Sequence, residues 1–286
     1  MSSPRIGIIG GSGVYQLEGI DYFDEVKVET PYGSPSDLFR LGRFAGRELA
    51  FLPRHGRTHR LNPTHVPYAA NLYAMKTLNV EWIVSINACG SLQAEVKPLD
   101  FVIPDQVIDR TRRRVGTFFD PLAVHISFAD PFCEPLRQVL IESAQECGLT
   151  VHSQGTYVCM EGPAFSTRAE SNLHRQMGAA LIGMTAMPEA KLAREAEICY
   201  AMVAMSTDYD CWHEDEVDVK MVISNLIQNS DNVKQLIKTA IPKISSDRRG
   251  AACKCHSALR NALLSPREAI PPDRREAFEF LMKKYL

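Results

Sequence analysis

The sequence predicts an α/β domain in which helices cover both faces of a largely parallel or mixed sheet. Three observations carry this. Short apolar runs alternate with segments of helical period from end to end. The 286 residues are 45% hydrophobic and 23% charged, enough for one large core. The middle of the chain carries no internal repeat and no Gly-, Ser- or Pro-rich linker, so residues 1–265 read as one domain and 266–286 as a helical extension.

The strands come in order as RIGIIG, ELAFLP, EWIVSINA, DFVIPDQVI, GTYVCMEG, AALIGMT and CYAMVAMSTDYD, short apolar runs that read as buried strands. Between them NPTHVPYAANLYAMKTLNV places Tyr68, Leu72 and Met75 at helical spacing, and CEPLRQVLIESAQECG closes on Gly148 as a capped helix does. STRAESNLHRQMG opens with Ser166 ahead of Glu170, and MPEAKLAREAEI has a proline in its first turn. The extension puts Phe278, Leu281, Met282 and Tyr285 on one helical face, which predicts docking on the domain or on a neighbouring copy.

The totals exclude several classes. A net charge of −2 supplies no field to gather nucleic acid. No window approaches the roughly 18 apolar residues of a membrane span, and the N-terminal MSSPRIGIIGG has no basic-then-apolar leader pattern, so the chain reads as cytoplasmic. Eight scattered cysteines are unlike a secreted disulfide scaffold. Cys253-Lys254-Cys255 has a shorter gap than the usual Cys-x2-Cys knuckle and no second cysteine pair follows it in sequence, so no metal is expected; a strained bridge between the two is the rival reading.

Strand ends hold the residues that suggest chemistry. Gly10-Gly11-Ser12-Gly13 bares successive N–H groups and suits an anion or a tight turn. A dinucleotide fingerprint fails, because Gln16 stands where its third glycine belongs. LPRHGRTHR delivers Arg54 and His55 at a strand end, a second anion candidate or a solvated basic loop. INACGSL lines a strand end with small residues, Asn87 to Ser91, that admit a ligand to the backbone. MEGPAFSTRAES offers Phe165 as a stacking platform or core residue, and IGMTAMPEA carries Met184 and Thr185. In MSTDYDCW, Asp208 and Asp210 leave an apolar strand and need a ligand, a metal or a helix to cap.

Taken together, GIIGGSG, LPRHGRTHR, NACGSL, DQVIDRT, EGPAFSTRAE, IGMTAMPEAKLARE and TDYDCW resemble the purine nucleoside phosphorylase family, in its S-methyl-5'-thioadenosine phosphorylase branch, in one register over roughly residues 5 to 240. The resemblance implies a single three-layer α/β/α domain with a mixed, partly barrel-like sheet, a homo-oligomer of trimeric or hexameric form, and inorganic phosphate as co-substrate without metal or organic cofactor. It places Ser12, Arg54, His55, Asn87, Ala88 and Thr185 around phosphate. Ala88, Cys89, Gly90, Phe165, Ile182 and Met184 would surround base and ribose, with Asp208 at N7 and Asp210 at the 6-amino group. Val219, Val222 and Ile223 would wall the 5'-methylthio group, joined by His125 of a neighbouring subunit.

The implied reaction is phosphorolysis of S-methyl-5'-thioadenosine; a broader purine nucleoside specificity is the nearest alternative, and a nicotinamide-dependent oxidoreductase rests on the glycine loop alone. Two positions depart from relatives: Asn87 stands for a threonine or serine, and Gly183 for an asparagine near the base. The family resemblance also implies bridges Cys253–Cys255 and Cys133–Cys199, with the other four cysteines buried and reduced.

Overall fold

The structure is a computed structural model that describes residues 4–11, 17–213, 219–245 and 253–286, with the backbone alone described at 219–223. Its sheet is built on one long strand, β5 (Val80–Ser91), which pairs in parallel with β1 (Arg5–Gly10) on one edge and with β11 (Cys199–Tyr209) on the other. Beyond β1 lie β4 (Arg47–Pro53), parallel to it, then antiparallel β3 (Phe39–Phe44) and β2 (Asp21–Val26). The last residues of β5 outrun β1 and pair antiparallel with β10 (Leu181–Gly183), which leads to β9 (Thr156–Met160) and β7 (Gln106–Arg110). Beyond β11 lie β6 (Phe101–Val102) and β8 (Val151–His152). The mixed sheet therefore branches at β5 and does not close on itself.

Alternation along the central strands shows why they read as unbroken apolar runs. Ile83 of β5 and Tyr200, Met202 and Ala204 of β11 enter one core with α1 (Tyr68–Thr77) and α4 (Glu189–Glu195). Trp82, Val84 and Ile86, with Ala201, Val203 and Met205, enter the other core with α2 (Glu134–Glu146) and α5 (Val219–Ala240). Both faces are covered, so the two strands are apolar over most of their length, and the chain is a three-layer α/β/α domain.

Several elements differ from the sequence reading. DFVIPDQVI is two strands, β6 and β7, on different branches, because Pro104 between them has no N–H to give a ladder. The mostly exposed β2, DYFDEV, lacks an apolar alternation and was legible only as polar chain. The 22-residue α5 has no counterpart in that reading, although Val233, Leu236, Ile237 and Ala240 bury a helical stripe. Thr167, not Ser166, caps α3 (Arg168–Gln176), forming a reciprocal capping box with Glu170.

The extension belongs to the domain's own core. α6 (Arg275–Met282) buries Ala277, Phe278, Leu281 and Met282, with the Phe278 ring 5.8 Å from Phe119 and the Phe280 ring 5.2 Å from Tyr73. Among the described residues no helix is long and apolar enough to cross a membrane.

The expected bridges are not formed. All eight cysteines are free, Cys147 and Cys211 being only half-buried. The Cys253 sulfur lies 3.9 Å from Cys133 and 3.4 Å from Cys199, well outside the roughly 2.05 Å of a disulfide. The four candidates instead converge on one another, so the second cysteine pair that sequence spacing denies to Cys253-Lys254-Cys255 is supplied by the fold.

Emptying the α6 contact by Phe278→Ala should cost about 3 to 5 kcal/mol of stability, read as a lower urea midpoint at unchanged m-value.

Candidate active site

Parallel strands β1, β4, β5 and β11 deliver their carboxyl ends to one edge, and the sequence-predicted residues gather there. Gly10 ends β1 and its carbonyl accepts from the Arg54 N–H just past β4. Ala88 is the exposed position in β5, between buried Asn87 and Cys89, so the strand opens onto a cleft there. Ser12 lies outside the described residues. Val219, Val222 and Ile223 fall in the first turn of α5, where side chains are not described.

At one end of the edge the Arg54 side chain is 2% exposed. Its Nε and Nη2 donate to the two Glu189 oxygens at 2.9 and 3.0 Å, Nη2 also to Ser85 Oγ at 2.7 Å, and Nη1 to the Ile86 carbonyl at 3.0 Å. Four of its five N–H groups are thus engaged. Burial opposes its charge, but the adjoining Glu189 outweighs that and holds the guanidinium protonated. Glu189, the first residue of α4, also accepts from Ser85 Oγ at 2.7 Å and from the Tyr200 hydroxyl at 2.8 Å. The network continues through Asn87, whose Nδ2 donates to Ser85 Oγ at 3.0 Å and whose Oδ1 accepts from the Thr185 hydroxyl.

His55 pairs its Nδ1 with the Leu61 carbonyl at 2.8 Å and stacks on His59 at 4.5 Å. A carbonyl only accepts, so Nδ1 carries the hydrogen and Nε2 keeps a lone pair. Burial first, then the Arg54 charge, pushes the His55 pKa down to about 4, leaving the ring neutral at physiological pH.

The other end is acidic. A bulge between Ser206 and Asp208 adds a residue to β11, so Asp208 rather than Thr207 comes opposite Gly90. A Cβ at Gly90 would lie 3.4 Å from both the Asp208 carboxylate and Asp210 Cβ, so the glycine leaves the two side chains room. Two α5 asparagines hold the bulge: Asn225 donates to the Thr207 carbonyl and Asn229 to the Ser206 carbonyl, each at 2.9 Å. Asp208 Oδ2 accepts from Thr207 Oγ1 at 2.6 Å, yet burial, seconded by Asp210, raises its pKa above the ordinary aspartate value.

Between the two ends run residues 182–187. Buried Arg114 binds the Met184 and Met187 carbonyls at 2.7 and 2.6 Å, the Glu161 carbonyl at 2.7 Å and the Glu161 carboxylate at 3.2 Å. Glu161 is held ionised with a pKa near 2, because backbone N–H groups of Arg112 and Arg113 and the Thr64 hydroxyl overcome its burial. Met184 packs its sulfur where a Gly162 side chain would stand, 2.5 Å from the ideal Cβ, at a φ of +68°. At Gly183 the Tyr157 hydroxyl sits 2.1 Å from an ideal Cβ, so tyrosine occupies the space of a side chain there.

Two predicted residues stand apart. Phe165 is 83% exposed, and His125 is exposed beside a different cavity, with Cys133, Arg137 and Cys253. Glu189, Ser85, Tyr200, Arg114, Asn225 and Asn229 carry site geometry that sequence reasoning missed. A glutamate just after Pro188 was visible, but nothing local told that its partner is Arg54, 135 positions away.

An edge of parallel strand ends with a charge-balanced buried arginine at one end and an aspartate of raised pKa at the other belongs to an α/β enzyme that holds a small polar molecule across strand ends. A model of the Phosphorylase superfamily matches residues 5–242, and the chain belongs to that family. It is similar to the S-methyl-5'-thioadenosine phosphorylases of Thermosynechococcus vestitus, 51% identical over 99% of both chains, and of Geobacter sulfurreducens, 52% identical over 98% of this chain and 99% of the relative. A crystal structure of a methylthioadenosine phosphorylase from an antarctic soil metagenomic library superposes with a TM-score of 0.91 at 51% identity, covering 98% of this chain and 99% of that one. A mutant adenosine/methylthioadenosine phosphorylase from Schistosoma mansoni, solved with methylthioadenosine, gives 0.83 at 34% identity over 91% and 99%.

Glu189→Gln should strand a buried guanidinium and cost about 3 to 5 kcal/mol, measured by urea unfolding. Asp208→Asn should do the reverse. The unfolded chain ionises Asp208 above its ordinary pKa of 3.8, whereas the folded site resists ionisation. Asp208 therefore subtracts stability as pH rises past that value, and the asparagine variant should show a higher Tm at neutral pH, the gain shrinking on acidification toward 3.8.

Proposed function

We infer that the chain cleaves S-methyl-5'-thioadenosine with inorganic phosphate, yielding adenine and 5-methylthioribose 1-phosphate. The observation that carries the chemistry is the raised pKa of Asp208 on a bulge that sets it beside Asp210. A phosphate oxygen forms the new bond to C1' as the bond from C1' to N9 breaks, and the electron pair passes into the purine. Asp208, whose pKa burial raises, is the group placed to give a proton to N7 so that adenine leaves neutral. Asp210 accepts from the 6-amino group, a contact that a 6-oxo purine makes poorly. With residue 183 a glycine whose side-chain space Tyr157 fills, base selection rests on these two aspartates.

Phosphate lies against the opposite end, under the developing ribosyl cation. Glu189 already balances Arg54, so the arginine offers its remaining Nη1 hydrogen, while Ser12, Asn87, Ala88 and Thr185 complete the shell. His55 Nε2 has a lone pair to offer and therefore accepts from the hydrogen that monohydrogen phosphate carries. Cys89, Gly90, Ile182 and Met184 lie along base and ribose, with Phe165 closing over them. Val219, Val222 and Ile223 favour a methylthio group over a 5'-hydroxyl, which would lose its hydrogen bonds there.

Direct attack by phosphate needs no organic cofactor and no metal at this centre. His125, exposed and away from this chain's own strand ends, serves the 5' pocket of a neighbouring copy, which makes the working form a homo-oligomer, trimer or hexamer. Eight free thiols suit the reducing cytoplasm.

Adenine release from methylthioadenosine should require phosphate and exceed release of base from adenosine or inosine; equal cleavage without phosphate overturns the reading. Asp208→Asn should lower kcat about 100-fold or more while the protein remains folded.

A further inference from the structure

We propose that Cys133, Cys199, Cys253 and Cys255 form a structural zinc site remote from the catalytic edge. Their four sulfurs lie within 4.8 Å of one another, and Cys253 stands 3.4 Å from Cys199 and 3.9 Å from Cys133. Tetrahedral zinc at about 2.3 Å from each thiolate spaces its sulfurs about 3.8 Å apart, whereas a disulfide draws them to about 2.05 Å. The observed spacing brackets the first value and is far from the second.

The burial is that of a closed site. The four side chains belong to residues between 1% and 4% exposed, although they come from three distant parts of the chain. Cys133 precedes α2, Cys199 opens β11, and the other two flank an exposed Lys254, so the short C-x-C turns both sulfurs inward and its one intervening side chain outward. Thiols used only as small apolar side chains have no reason to converge on one point.

Charge fits as well. On binding, four S–H bonds break, four Zn–S bonds form and four protons pass to the buffer, leaving a net charge of −2 on the centre. Arg194, Lys254 and Arg137, the last ion-paired with Glu134, line the adjoining cavity of about 730 Å³ together with Asp105 and Asp130, and the cavity reaches Cys133, Cys253 and Cys255 and gives the ion a way in. Arg194 is buried and donates to the carbonyls of Ser127, Asp130 and Pro131, with no carboxylate paired to it among the described residues. Two disulfides, by contrast, would need two two-electron oxidants.

Zinc here ties the C-terminal segment and the start of α2 to the foot of β11, whose far end carries Asp208 and Asp210. The whole chain, prepared reduced with zinc and then desalted, should retain about one zinc per chain by elemental analysis. Cobalt in its place should show the intense thiolate charge-transfer and tetrahedral d–d absorption of a four-sulfur site. Cys255→Ser should lose the zinc, Cys147→Ser, outside the cluster, should keep it, and chelation should lower Tm. Absence of retained zinc together with a cobalt spectrum lacking those bands overturns the proposal, as does a metal-free native chain four hydrogens lighter, which marks two disulfides. The cobalt spectrum of the unaltered chain decides the matter if Cys255→Ser fails to fold.

Discussion

The ion pair between Arg54 and Glu189 is the constraint from which the site is built. Neither group touches bulk water, so each is tolerable only in the presence of the other. Holding them in a two-point contact fixes the end of β4 against the start of α4, and the shared partners Ser85 and Tyr200 add β5 and β11 to the same knot. A lysine in place of Arg54 would supply charge without the planar fork that meets both carboxylate oxygens. From Ser85 the order passes through Asn87 to Thr185, so these strand-end residues are aligned by one hydrogen-bonded network.

The two ends of the edge obey opposite electrostatic rules. At the Arg54 end a buried cation is balanced by the Glu189 carboxylate, so that end presents aligned donors rather than an unpaired charge. At the Asp208 end burial, seconded by Asp210, raises the carboxyl's pKa above the ordinary aspartate value. Arg114 joins the halves mechanically by gripping the carbonyls of Met184 and Met187 on the segment between them. The environment, more than residue type, separates the roles of acid and anion ligand.

Much of this was legible in the sequence because parallel strands buried on both faces leave unbroken apolar runs, and function in such sheets collects where the runs stop. Arg54, Asn87, Thr185, Asp208 and Asp210 all follow that rule. What escaped has a common physical cause: Glu189, Arg114 and Asn225 matter through partners far along the chain, and no local period encodes a partner. The polar strand β2 lacked the alternation that marks a half-buried strand. The cysteines show the same limit, since spacing along the chain spoke against a second pair that folding brings within 4.8 Å.

The bulge at Thr207 gives the acidic end a sensitivity of a different kind. Because neighbouring strand positions face opposite sides, closing the bulge with every residue kept would bring Thr207 opposite Gly90 and send Asp208 toward the other layer. The aim of this carboxyl is therefore written partly on another element, since Asn225 and Asn229 of α5 hold the bulge and their loss would turn Asp208 aside with its own identity unchanged.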